Sequence, residues 1–239
     1  FLNLRDGKNE AIKINEPQNV DEKYLEKIEK IEFQPIFILG MHRSGTTILY
    51  KMLSDTGYFN TLTAYHVIYY DQLLKNYMES LESKKKNELN NELLKKGIAT
   101  RKTDNVKVDA NYEHEYVYIL QNKNKSPSIN EDNKKLMIEI CKKIKFISNN
   151  NKPILLKNPY DFGNFLFIKK VFPNAKFVFI HRNPKYVLSS TTRLWKTHFS
   201  RKNEFLAMYS KRYKTIYSNP LSRLLFKLMF TSKIPIGIF

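Results

Sequence analysis

The sequence has a single cysteine, few acidic residues and no long apolar run, and these shortages limit the kinds of protein it can be. The single Cys141 excludes a disulfide within the chain. No stretch reaches the roughly 20 apolar residues that a membrane-spanning helix needs. The first residues are not followed by an apolar stretch, so they do not resemble a signal peptide. These features do not determine the compartment, but of the possible compartments they favour the cytoplasm.

Lys and Arg outnumber Asp and Glu by 41 to 23, which gives a formal net charge of +18. A positive charge of this size is typical of proteins that bind an anionic substrate, an anionic lipid or a nucleic acid. It is equally typical of a basic surface that contacts only solvent. The aromatic residues lie mostly in apolar segments and are not interleaved with basic ones, so we expect no specific nucleic acid. The five His residues lack the spacing of metal ligands, so we expect no metal.

The chain of 239 residues is long enough for one sizeable core and too short to require two domains. We therefore predict one domain over 1–239. Because the chain does not begin with Met, we expect truncation at one or both ends.

Short apolar runs alternate with helical patterns, which is typical of a parallel sheet covered by helices on both faces. This predicts an α/β protein of three layers, with a central parallel sheet between helices. The predicted strands are 35–39, 152–156 and 176–180. The predicted helices are 20–31, 46–56, two or three within 65–99, 111–121, 131–148, 162–171 and 184–195. The apolar and basic tail, 221–239, reads as a core helix or, as the alternative, as a surface for peripheral membrane contact.

The sharpest local feature is the segment 40–47, Gly-Met-His-Arg-Ser-Gly-Thr-Thr, between a predicted strand and a predicted helix. Gly40 and Gly45 permit backbone angles that other residues resist, so successive N–H groups can curl around an anion. The start of the helix adds unpaired N–H groups and the positive end of its dipole. Further donors are the hydroxyls of Ser44, Thr46 and Thr47.

This segment differs from a Walker A loop at the position that matters most. Thr46 stands where a nucleotide-hydrolysing enzyme has the Lys that reaches the β- and γ-phosphates. The cation is instead Arg43, inside the loop. The loop therefore suits a short anion better than a triphosphate with Mg²⁺, although a P-loop kinase or NTPase remains an alternative.

Three segments resemble sulfotransferases. Arg43-Ser44-Gly45-Thr46-Thr47 is similar to the loop that binds the 5′-phosphosulfate in that family. Residues 172–184 resemble the strand and turn that hold the 3′-phosphate, where an Arg ends the strand and a Ser follows eight residues later. The segment 156–159, Leu-Lys-Asn-Pro, resembles a stretch of the bacterial carbohydrate-type and tyrosylprotein-type branch.

The resemblance implies a P-loop fold that binds 3′-phosphoadenosine-5′-phosphosulfate (PAPS) and releases adenosine 3′,5′-bisphosphate (PAP), without a metal. The reaction would be an in-line displacement by a hydroxyl or amine of an acceptor. The implied residues for binding PAPS are His42, Arg43, Ser44, Gly45, Thr46, Thr47, Arg182 and Ser190.

For catalysis, the resemblance implies that Arg43 stabilises the charge that grows on the leaving group, with Lys157 as a second candidate. The general base is open among three residues. Glu115 and Glu113 lie in a stretch similar to one in related bacterial enzymes, and cytosolic members use a His, which makes His66 the third candidate.

The resemblance covers about 35–57 and 153–196, and 58–130 is then expected to be a helical insertion on the acceptor side. The acceptor stays open among a carbohydrate, a lipid head group, a peptide tyrosine and a small molecule such as an alcohol, and the oligomeric state is open as well. After residue 200 no family segment is matched. A catalytically inactive basic module that only binds anions is the remaining alternative.

Overall fold

The structure is a computed structural model that describes residues 19–100, 106–200 and 202–231. Four parallel strands form one sheet with the order β2-β3-β1-β4. The strands are β1 (Pro35–Leu39), β2 (Asn60–Thr61), β3 (Ile154–Lys157) and β4 (Lys176–Phe179). The predicted α/β class is confirmed, and so are the three predicted strands within one or two residues. The two-residue edge strand β2 was not predicted, because it is too short to give a pattern.

The described helices surround this sheet. They are α1 (Thr46–Asp55), α2 (Ala64–Ile68), α3 (Leu73–Met78), α4 (Glu82–Lys95), α5 (Val117–Asn124), α6 (Lys134–Ser148), α7 (Phe165–Val171), α8 (Pro184–Ser200), α9 (Glu204–Tyr209), α10 (Lys211–Ser218) and α11 (Pro220–Thr231). Three short 3₁₀ helices cover Glu22–Ile28, Tyr70–Gln72 and Pro159–Asp161. None of the helices in these described ranges is both long and apolar enough to cross a membrane.

The alternation of side chains along β1 explains why both faces of the sheet are covered. Phe37 and Leu39 point into the larger core, where α6 contributes residues such as Ile140. Ile38 points to the opposite face, where it packs with Tyr50 of α1. Because successive residues of a strand face opposite sides, an all-apolar strand needs a helical layer on each.

Two helix predictions were wrong in part. Residues 111–116 were expected to begin a helix, but α5 begins only at Val117. The backbone of the preceding segment bonds to the α2 region instead, with Ala64 N–H donating to Tyr112 O and His114 N–H donating to Leu62 O. The predicted helix 20–31 is a shorter 3₁₀ helix, and the tail forms α11 up to Thr231, with 232–239 outside the described residues.

A buried ion pair ties the first described segment to α6. Lys143, which is fully buried, lies 2.9 Å from the Asp21 carboxylate and 3.0 Å from that of Glu139. Its ammonium also donates to Tyr70 O at 3.1 Å. Asp21 in turn accepts from the N–H groups of Leu74 and Lys75 in α3. The pair therefore fixes three segments at one point.

Lys143→Met should lower the free energy of unfolding by roughly 3–5 kcal/mol, because it leaves the Asp21 carboxylate buried without its cation. In a chain of this size the loss corresponds to a fall in Tm of about 10 °C. Thermal unfolding measures it, with Lys135→Met as control, since Lys135 is exposed on the same helix. An equal, small effect of both variants would contradict this account.

Candidate active site

The loop of residues 40–45 joins β1 to α1 and has a strongly curled backbone. Arg43 and Gly45 both have left-handed conformations, with φ of 67° and 105°. The N–H and the hydroxyl of Ser44 both donate to Met41 O, at 3.1 and 2.7 Å. A non-glycine residue in this conformation is strained, and such strain is concentrated at ligand sites. The fold places this curl at the amino end of α1, where unpaired N–H groups favour an anion.

At Gly40 the loop leaves no room for a side chain. A Cβ at this position would lie 2.6 Å from Ile180 Cγ2, 2.8 Å from Ile180 O and 2.9 Å from Ser44 Oγ. The loop therefore lies directly against the end of β4. The close approach requires glycine at 40 because the backbone at Ile180 cannot move aside cheaply.

Arg43 links the loop to α8. Its Nε donates to Ser190 Oγ at 2.9 Å, and its own carbonyl accepts from Arg182 Nη1 at 3.1 Å. The Arg182 guanidinium also lies 5.8 Å from the centre of the Tyr186 ring. The family resemblance assigns Ser190 and Arg182 to one phosphate. In the structure both contact Arg43, because β1 and β4 are neighbours whose carboxyl ends meet.

Lys157 reaches the loop from the other side of β1. It ends β3, which pairs with β1 in parallel, and its side chain is almost fully buried. Its Nζ donates to Thr47 Oγ1 at 2.8 Å and lies 2.5 Å from Glu115 Oε1. Three strands thus bring a lysine, two arginines and their polar partners to one edge of the sheet.

The ion pair with Lys157 sets the charge state of Glu115. Burial alone raises the pKa of Glu115, but the Lys157 ammonium, with smaller help from His42 and His114, outweighs burial and holds the pKa below its usual value. Glu115 is therefore ionised at neutral pH. A buried carboxylate beside a buried ammonium keeps both groups charged near the loop.

His42 lies beside this pair. Burial lowers its pKa; Glu115 opposes that effect, while Lys157 and Arg43 reinforce it. Its ring meets the Tyr160 ring edge-on, with 4.7 Å between centroids. Its buried Nε2 has no hydrogen-bond partner within the described ranges. Tyr160 itself carried no signal in the sequence, since a lone tyrosine after a loop has no distinctive pattern.

The other two base candidates lie in different surroundings. Glu113 forms a backbone bridge with Thr63 and lies 4.0 Å from Lys51. His66 caps α2, where its Nδ1 accepts from Thr63 N–H at 3.0 Å. Burial, with the charge of Lys86, lowers the pKa of His66 to about 3, so the ring is neutral. The structure brings only Glu115 of these three into contact with Lys157.

A second polar network, which sequence reasoning missed, fixes the segment after Lys157. Asp161 is fully buried, and its Oδ2 accepts from Tyr116 Oη at 2.7 Å and from Asn158 Nδ2 at 2.9 Å. Its Oδ1 accepts from Ile129 N–H. Tyr116 follows Glu115 directly, so this network positions both members of the ion pair. The only feature of the sequence that pointed to this network was the Asn-Pro pair that follows Lys157.

Two further predicted residues lie at the start of α1, directly after residues 40–45, which we call the anion loop. Thr46 is the first residue of α1 and is buried. Thr47 follows it, and its hydroxyl accepts a hydrogen bond from Lys157. Within the ranges that the structure covers, no group of three or more His, Cys, Asp or Glu is placed to hold a metal ion. The site combines a curled loop, a helix start and three cations, which together suit a ligand with more than one anionic group.

Comparison with known proteins assigns the chain to a family. The sequence profile of the sulfotransferase family matches residues 35–227, which include every candidate site residue. A sulfotransferase of Mycobacterium tuberculosis has a similar structure, with 14% identity, a TM-score of 0.44 and coverage of 89% of this chain and 71% of that one. No curated protein matches the chain significantly. On the family match, which spans most of its length, the chain belongs to the sulfotransferase family.

Proposed function

We propose that this chain transfers the sulfonate of PAPS to a hydroxyl or amine of an acceptor and releases PAP. One observation carries the proposal. Arg43 of the anion loop is hydrogen-bonded both to Ser190 and to Arg182, so the two halves of a bisphosphate site adjoin each other. Family membership supports sulfonate transfer in general.

The residues present fit a nucleotide that carries phosphate at both ends of its ribose. The left-handed turn at Arg43 curls the loop at the start of α1, where its N–H groups, together with Thr46 and Thr47, would bind the 5′-phosphosulfate. Arg182 and Ser190 would share the 3′-phosphate, since a guanidinium can bind phosphate through two N–H groups. Thr46 in place of the Walker A lysine argues against ATP.

PAPS would supply an activated sulfonate, and the protein contributes position and charge. Arg43 and Lys157 would stabilise the negative charge that develops on the leaving oxygen. Lys157 is suited to this because its buried ammonium is held on Thr47, at the loop itself. A charge fixed in a buried site stabilises a developing charge more strongly than one in water.

Glu115 is the general base that we propose. Glu115 is ionised and forms an ion pair with the Lys157 ammonium, whereas His66 accepts a hydrogen bond that caps α2. An anion at the loop would compete with Glu115 for that ammonium. When the ion pair between Lys157 and Glu115 weakens, the effect of burial raises the pKa of Glu115, and Glu115 becomes a stronger base. Because Glu115 comes from the segment 58–130, we also propose that this segment forms the acceptor side.

PAP should stabilise the chain against heat, whereas ATP with Mg²⁺ should not. At about 100 times its dissociation constant, a ligand adds about 2.7 kcal/mol to the free energy of unfolding. For a chain of this size the Tm should rise by roughly 5–10 °C. Arg182→Ala should remove most of the shift, and Lys176→Ala, at the start of β4, the strand that precedes Arg182, should keep it.

The contrasting results are equally clear. No shift with PAP in the folded wild-type chain would refute the proposed function. A shift with ATP and Mg²⁺ of equal size would favour a P-loop kinase or NTPase instead.

Glu115→Gln should lower the free energy of unfolding by roughly 3 kcal/mol at neutral pH, because Lys157 loses its buried counter-ion. The pKa of Glu115 is lower in the folded chain than its ordinary value of 4.5. Its stabilising effect is therefore complete above that value and is lost as the pH falls through the folded pKa. The difference in Tm between wild type and variant should stay constant down to about pH 5 and then shrink.

Glu113→Gln is the matched control, since Glu113 lies only at the outer limit of an ion pair with the exposed Lys51. A difference for Glu115→Gln that does not change with pH, or one no larger than for Glu113→Gln, would show that the Lys157 pair is not what stabilises this region.

A further inference from the structure

The positive charge is concentrated in the last third of the chain. Residues 162–239 contain 15 Lys and Arg and a single acidic residue, Glu204, so 14 of the 18 net positive charges lie there. Glu204 is itself paired with Lys202 at 2.9 Å. A bound PAPS would neutralise only a few of these charges. The excess requires another explanation, either solvation alone or a large anionic partner.

The last described helix carries an exposed apolar stripe. Leu221, Leu224, Leu225 and Leu228 are each more than half exposed. Their spacing of three and four residues places them on one face of α11, within an arc of about 100°. Single exposed leucines are common on protein surfaces, but four on one helical face are the mark of a contact surface.

Basic and aromatic side chains lie next to this stripe. Lys211, Arg212 and Lys214 are exposed on α10, which packs against α11. Arg223 lies 5.7 Å from the Tyr217 ring centre. Cationic side chains and tyrosine beside an apolar helical face are the combination that amphipathic helices use at the surface of a bilayer.

We propose that α10 and α11 form a docking surface for an anionic lipid bilayer, with the four leucines in the acyl boundary and the basic residues at the headgroups. Charge complementarity selects this partner, because anionic lipid attracts Lys and Arg near its surface. The exposed leucines argue against a nucleic acid, whose phosphates offer no apolar contact. The proposal does not depend on the proposed reaction.

The surface adjoins the candidate site. α11 packs against α8, the helix whose Ser190 accepts a hydrogen bond from Arg43. Docking through α10 and α11 would therefore bring the candidate site close to the headgroup region.

Sedimentation of the full chain with lipid vesicles tests the proposal. The wild type should bind vesicles of phosphatidylcholine with phosphatidylserine, bind those of phosphatidylcholine alone far more weakly, and lose affinity as salt rises. Leu221→Ser/Leu224→Ser/Leu228→Ser should weaken binding at least about tenfold, because each change removes apolar area from the contact. The control is Leu94→Ser/Leu166→Ser, two leucines on α4 and α7 that are each more exposed than any leucine of the stripe.

The charge contribution is tested in the same assay. Lys214→Gln/Arg223→Gln should weaken binding about fivefold for each charge removed. Lys84→Gln/Lys96→Gln, which removes two exposed charges from the α4 region, should weaken it much less. Thermal unfolding of every variant, with and without PAP, separates loss of docking from loss of fold or of nucleotide binding.

Several results would overturn the proposal. Equal binding of the leucine variant and its control, or no binding to vesicles with phosphatidylserine at low salt, would exclude the bilayer as partner. A wild-type dimer that the leucine variant abolishes, without vesicle binding, would assign the stripe to self-association. The chain could instead bind single-stranded RNA and no vesicles, with the leucine variant binding RNA as well as the wild type. That result would show that the surface binds polyanions through its charge alone.

Discussion

The contact of Arg43 with Ser190 and Arg182 is the interaction on which the rest of the site depends. It joins a loop at residue 43 to a turn almost 140 residues later in the sequence, which only the order of the sheet makes possible. β1 lies between β3 and β4, and all three strands are parallel. Their carboxyl ends therefore deliver Lys157, Arg43 and Arg182 to one edge. This is the edge where open α/β sheets bind their ligands.

Collecting three cations at one edge is costly without anions, and the fold offsets part of that cost internally. Lys157 is paired with Glu115, whose position is fixed through the neighbouring Tyr116 and its bond to Asp161. The two arginines lie at a partly exposed surface, where Arg43 donates to the Ser190 hydroxyl and Arg182 donates to the Arg43 carbonyl. These contacts hold the three cations in place before any ligand is bound, which is the arrangement that a preorganised anion site would need.

Local patterns were sufficient for three of the four strands and for the loop, but not for the side-chain contacts between them. The apolar runs at 35–39 and 176–180 and the glycines at 40 and 45 have direct physical causes in the chain itself, and they led to the confirmed strands and the position of the loop. The partner of Lys157 was different, because Glu115 comes from a segment predicted as helix that bonds to the α2 region instead. Tyr160 and Asp161 gave no pattern at all. The choice of Glu115 over Glu113 and His66 needed the three-dimensional contacts.

The measurement that tests the central claim most directly is the affinity of the chain for PAP relative to adenosine 5′-monophosphate by isothermal titration calorimetry. The two ligands differ only in the 3′-phosphate, which we assign to Arg182 and Ser190 beside the anion loop. Charge-assisted hydrogen bonds to that group should make PAP bind at least about tenfold more tightly. The preference should disappear in Ser190→Ala/Arg182→Ala while the weaker binding of the monophosphate persists. Equal affinity for the two nucleotides in the wild-type chain would contradict a bisphosphate site built around Arg43.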